Sequence, residues 1–144
     1  FLRRLIAHQG KLVAVGTTSV RTLESLYYIG VNCIEKGYPH DVGQWDPYIR
    51  SYGYSLTEAL NAIISYMDAK GLDQLQAGTR IIIVPGYDFK IVDVLVTNFH
   101  QPQSTLLLLI SAFLKGEWKQ VYDYALGNDF RFLSYGDSSI LFRE

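Results

Sequence analysis

The chain has 144 residues, 49% of them hydrophobic and 14% aromatic, with a formal net charge of −1 at pH 7. That length supports one domain with a substantial core, and the near-neutral charge excludes a generally basic nucleic-acid binder while leaving room for a local patch. A lone Cys33 rules out an internal disulfide and suits a reducing cytoplasm. His8, His40 and His100 lack metal-ligand spacing, and the longest apolar run, Leu106 to Ile110, is too short to cross a bilayer.

Phe1 to His8 reads as the end of a helix already under way, and the first residue is not Met, so a piece of a longer protein is expected. Lys11 to Val15 is a short apolar strand ending at Gly16, where Thr17, Thr18 and Ser19 offer hydroxyls to a starting helix. Val20, Leu23, Tyr27, Val31 and Ile34 follow helical spacing up to Gly37. Arg21 falls in the first turn, where the helix dipole opposes a cation. Gly16, the three hydroxyls, the helix amides and Arg21 therefore make a candidate anion or nucleotide site. A solvated arginine is the plainer alternative, and Gly-Thr-Thr-Ser lacks the spacing of a dinucleotide fold or P-loop.

Tyr38 to Tyr54 is aromatic and without sustained period, so it reads as a long ordered loop, with its tyrosines stapling it to the core or stacking on bases. Ser55 and Glu58 form a capping box ahead of the stripe Leu56, Leu60, Ile63, Ile64 and Met67, which Lys70-Gly71 closes. Ile81 to Val84 and Ile91 to Val96 are β-branched runs almost without alternation, as in strands covered on both faces. Asp93 interrupts the second run, where a carboxylate needs a partner or a polar pocket. Thr97, Asn98 and His100 follow that strand's end, and Ser104 caps a helix from Thr105 to Leu114. A further helix spans Glu117 to Leu126. Phe130 to Leu133 and Ile140 to Phe142 read as strands around the Ser134-Tyr135-Gly136-Asp137 turn, pairing antiparallel. The alternation of strands and helices predicts an α/β fold: a partial barrel-like or layered, mostly parallel sheet flanked by helices. Ligands are then expected where polar groups gather past strand carboxyl ends.

Three blocks carry a resemblance: VGTTSVRTLES from Val15, PGYDFKIVDVLVTNFHQPQSTLLLLISAF from Pro85, and FRFLSYGDSSIL from Phe130. Together they resemble the S-adenosylmethionine:tRNA ribosyltransferase-isomerase family of queuosine biosynthesis. The resemblance implies cytosolic enzymes with a large α/β barrel-like domain and an inserted small β-barrel domain. This chain is similar to the carboxyl-terminal part of the large domain, without the insert. The implied reaction moves the ribosyl group of S-adenosylmethionine, a co-substrate, onto 7-aminomethyl-7-deazaguanine at the tRNA wobble position, giving epoxyqueuosine as adenine and methionine leave. No prosthetic group or metal is implied, and the remainder of the polypeptide is an expected partner.

Such chemistry needs a base, because the sulfonium acidifies the adjacent ribose carbon and removing that proton starts adenine loss. Asp93, His100 and Asp137 lie inside the blocks beside predicted strand ends and are the candidates. Each has a plainer reading: Asp93 pairing with Lys90 or Arg21, His100 as a hydrogen-bonded structural histidine, Asp137 as a turn residue. Tyr87, Phe99 or Tyr135 can face the sulfonium by a cation–π contact worth roughly 0.5–2 kcal/mol, core packing being the simpler role for Phe99. Lys90 and Arg131 are candidates for phosphate or the methionine carboxylate, with Asn98 beside them for substrate or tRNA; solvated surface charge is the competing reading of the two cations. On the same resemblance Gly16, Thr17, Thr18, Ser19, Arg21 and Tyr135 are expected to contact S-adenosylmethionine.

The chain departs from the family pattern at Gln101, which stands for the usual Leu, at Ser138-Ser139 in place of Ala-Met, and in a longer segment from Val31 to Leu75. A noncatalytic nucleotide- or tRNA-binding paralogue of the same fold is therefore the rival reading.

Overall fold

In the computed structural model, which describes residues 1–143, the elements run α1 (Leu2–Ala7), β1 (Val13–Val15), α2 (Thr17–Lys36), α3 (Asp46–Ile49), α4 (Leu56–Lys70), β2 (Val94–Asn98), α5 (Thr105–Phe113), α6 (Trp118–Gly127) and β3 (Ser138–Phe142). Close backbone approaches divide the chain into two units, one made of Phe1–Gly10 and Arg21–Ile81, the other of Lys11–Val20 and the chain from Ile82 onward. Among the described residues no helix is long and apolar enough to cross a membrane.

The first unit is helical. Ser55 accepts a hydrogen bond from the Glu58 backbone while Glu58 reaches back to the Ser55 N–H, so both ends of the predicted capping box are made, and Gly71 closes α4 in the left-handed conformation. Ala59, Leu60 and Ile63 of that helix are fully buried. Gly30 of α2 lies so near α4 that an added Cβ would stand 2.3 Å from the Ala59 carbonyl oxygen. The long loop is stapled from the core side: the buried Tyr27 hydroxyl reaches the carbonyls of Tyr52 and Tyr54, at 3.1 and 2.8 Å. Its middle forms the short α3, and Val42 bridges to Thr79. Cys33 is buried as an apolar filler, its thiol pushed up to about 11 by burial.

The second unit is organised on β2. β1 pairs with it in parallel, Val13 with Val94 through Val15 with Val96, and β3 pairs antiparallel, Val94 with Phe142 through Asn98 with Ser138. The sheet, ordered β1-β2-β3, is therefore mixed and open, which corrects the expectation of a barrel-like or mostly parallel layer. Two of the expected strands do not form. Ile81 and Ile83 are buried, yet Ile81–Val84 joins no ladder. Phe130–Leu133 is not a strand because Leu133 turns to φ +71°, donating its N–H to Phe99 and accepting at its carbonyl from Gly136 and the Asn98 side chain. The antiparallel partner of the last strand is accordingly β2. α5 starts at Ser104, whose hydroxyl accepts from the Leu107 N–H, and buries almost its whole circumference, ending on Phe113 against Phe89.

Candidate functional site at the carboxyl ends of the central strands

Register alone locates the polar residues of the second unit. Because β1 and β2 run in parallel, Gly16, just past β1, falls beside the carboxyl end of β2, and its N–H donates to the Val96 carbonyl at 2.8 Å. Because β3 runs the other way, Asp137, just before it, falls at that same end, one step from the Asn98–Ser138 pair. Gly16, Asn98, His100 and Asp137 thus share one rim of the sheet.

His100 is held from two sides. Its Nε2 lies 3.0 Å from the hydroxyl of the buried Thr97, and its backbone N–H donates to the Tyr122 hydroxyl at 3.0 Å. Burial lowers the imidazole pKa, which favours the neutral ring. Burial likewise raises Tyr122, ahead of the opposing effect of the His100 hydrogen bond, keeping the phenol protonated. Beneath the histidine, Phe99 packs edge-on against Tyr122 and Phe130 and tilted against Phe132, with centroids 5.2 to 5.6 Å apart. Phe99 is therefore core. The Ser139 hydroxyl donates to the Thr97 carbonyl at 3.2 Å, which gives one of the two unusual serines a role in tying β3 to the rim.

The Asp137 turn is tightly closed. Arg131 N–H donates to the Asp137 carboxylate at 2.7 Å, Asp137 N–H returns to the Arg131 carbonyl at 2.8 Å, and the Arg131 guanidinium stands 3.6 Å from the carboxylate. The backbone hydrogen bond, ahead of the guanidinium charge, holds Asp137 below the usual carboxylate range. Gly136 admits no side chain, since a Cβ there would lie 2.3 Å from the Arg131 carbonyl oxygen. Tyr135, at the tip, is almost completely exposed.

Asp93 is elsewhere. It precedes β2, and at about 3.3 Å per residue the strand carries the chain roughly 15–20 Å before His100 is reached. Asp93 thus lies at the opposite end of β2 from the rim that gathers His100, Asp137 and the Gly16 turn. Asp93 accepts from the Leu12 N–H at 3.0 Å and pairs with Arg143 at 3.2 Å, while the Arg143 N–H donates to the Asp93 carbonyl. The carboxylate thus joins the approach to β1, the start of β2 and the end of β3. It borders an open cavity of about 480 Å³ lined by Tyr87, Phe89, Phe113, Lys115 and Arg143 among others. Tyr87 is buried there, its ring 4.9 Å from that of Phe89, and Lys90 pairs with Asp88.

Of the Gly16 turn, Thr17 is buried, Thr18 exposed, and Ser19 gives its hydroxyl to the Val15 carbonyl at 2.7 Å. Arg21 belongs to the first unit and donates through Nε to the Ile81 carbonyl at 2.9 Å, so a neutral acceptor meets it. The residues that sequence reasoning missed are Tyr122 and Arg143. Thr97 had a local signal, standing three positions before His100 in a polar cluster; the other two are distant in the chain and become partners only through packing.

Comparison with known proteins gives a consistent result. The family model described as "Queuosine biosynthesis protein" matches residues 2–141. The S-adenosylmethionine:tRNA ribosyltransferase-isomerase of Magnetococcus marinus is 36% identical over 143 residues, covering 98% of this chain and 28% of the relative. The protein of that name from Methylobacterium sp. strain 4-46 is 38% identical, covering 99% and 29%. The crystal structure of S-adenosylmethionine tRNA ribosyltransferase from Thermotoga maritima superposes with a TM-score of 0.57 at 30% identity, covering 96% of this chain and 36% of that one. The chain thus spans about 30% of the length of the curated relatives it matches. With most of its length inside the family match, this chain belongs to the queuosine biosynthesis protein family.

Proposed function

We propose that this chain supplies part of the site at which the ribosyl group of S-adenosylmethionine is transferred to 7-aminomethyl-7-deazaguanine in the anticodon of tRNA and isomerised to epoxyqueuosine. The observation that carries the reading is the rim at which Gly16, Asn98, His100 and Asp137 meet, built from all three of the blocks that resemble the family. A neutral imidazole is the form that accepts a proton, so His100, steadied by Thr97 and Tyr122, is the base for the carbon next to the sulfonium. Asp137 is ionised and fixed by its turn, suiting it to balance the cationic sulfur, with the exposed Tyr135 ring available to the same charge. The Gly16–Ser19 turn is assigned to the nucleoside side, and Asn98 and Arg131 to substrate or tRNA. Asp93 is assigned to holding the sheet together.

The test is mass spectrometry of tRNA bearing the deazaguanine precursor after incubation with the natural gene product and S-adenosylmethionine, in cytoplasm-like buffer without added metal. The reading predicts the epoxyqueuosine nucleoside, with adenine and methionine released in equal amounts. Bound but unmodified tRNA would favour the noncatalytic paralogue, and a methylated nucleoside an ordinary methyltransferase.

A further inference from the structure

Pairing in the sheet sorts its side chains onto two faces. Ala14, Leu95 and Leu141 form one row on the inner face, and all three are buried. On the outer face Val13, Val94 and Phe142 form one row and Val15, Val96 and Ile140 the next. Here the edge-strand residues Val13, Val15, Ile140 and Phe142 are 53%, 68%, 61% and 60% exposed, while between them on β2 Val94 is buried and Val96 half-buried. Four large apolar side chains therefore stand in water on one surface, a pattern that scattered surface residues do not produce. Strands that are apolar on both faces, and β-branched on the outer one, are those of sheets covered twice, yet here the outer face is largely uncovered. The family relatives carry about seven-tenths of their length outside the part that this chain matches.

We infer that the outer face of the sheet is an interface, and that its occupant is amphipathic helix from polypeptide outside these 144 residues, packed across Val15, Val96 and Ile140. A helical layer is the partner that a sheet with a parallel β1–β2 pair takes on its second face. The polar third row, Asn98 beside Ser138, marks where that layer stops and leaves the rim open. This inference uses the family match only for length and does not depend on the reaction.

Carbene footprinting of the natural gene product against the isolated 144-residue chain tests it. Labelling of Val15, Ile140 and Phe142 is expected to be at least about tenfold lower in the gene product, as for buried interface cores. A double variant, V15T with I140T, keeps the β-branched shape and is expected to lower the Tm of the gene product by several degrees while leaving that of the isolated chain unchanged. Equal labelling in the two proteins overturns the inference, as does a Tm that falls equally in both. Protection of the face in the isolated chain, with sedimentation at twice its mass that V15T/I140T halves, assigns the face to a second copy and also overturns it.

Discussion

Replacing Tyr122 by Phe isolates what positions His100. The substitution keeps the ring, whose edge-on contacts to Phe99, Trp118 and Phe132 have centroids 5.5 to 5.9 Å apart, and removes only the hydroxyl that accepts the His100 N–H at 3.0 Å. Tyr122 is 6% exposed, so little water can replace the lost acceptor. One hydrogen bond contributes about 1 kcal/mol net, and an orphaned N–H raises the loss to about 2 kcal/mol. For a chain of this size that corresponds to a fall in Tm of roughly 3–6 °C. Urea unfolding followed by circular dichroism reads the global loss. Native-state hydrogen exchange reads the local one, with exchange of the His100 amide about tenfold faster or more, since 1.4 kcal/mol is a factor of ten. An unchanged midpoint together with an unchanged His100 amide would refute the reasoning.

Other outcomes follow from the same geometry. Asp137 has a folded pKa below its unfolded one, so its contribution is present above the ordinary carboxylate range and lost as pH falls through the folded value; Asp137→Asn is expected to flatten that acid limb in a stability–pH curve. Cys33, with its thiol near 11, is expected to react with a thiol reagent at pH 8 more than about a hundredfold slower in the folded chain than after unfolding in urea. Gly30→Ala, which presses a methyl onto the Ala59 carbonyl, is expected to cost about 2 kcal/mol or more by urea titration, whereas Gly53→Ala, with open space around it, is expected to change little.

The parts of this fold legible in the sequence are those whose determinants are local. Ser55 with Glu58, Gly71, and Ser104 each announce a helix boundary within four residues, and all three lie where expected. Strand pairing is not local. The Ile81–Val84 run correctly signals burial, but β-branched residues do not say whether a neighbour is present to complete a ladder. Phe130–Leu133 fails as a strand because Leu133 is drawn into the left-handed region by Phe99 and Asn98, more than thirty residues away. The site divides in the same manner. The Thr97–His100 pair is an i, i+3 contact visible in the sequence, whereas the partner that Asp93 needs is Arg143, fifty positions on, which no local pattern points to.

The central claim is that proton abstraction belongs to the His100 rim and not to the Asp93 end of β2. Adenine release from S-adenosylmethionine by the natural gene product, compared between His100→Ala and Asp93→Asn, tests it most directly. The account predicts a loss of at least about a hundredfold for His100→Ala, the range of a general base, with Asp93→Asn losing stability but staying within a few fold of the unsubstituted rate. A large loss for a folded Asp93→Asn alongside near-normal release by His100→Ala would contradict it.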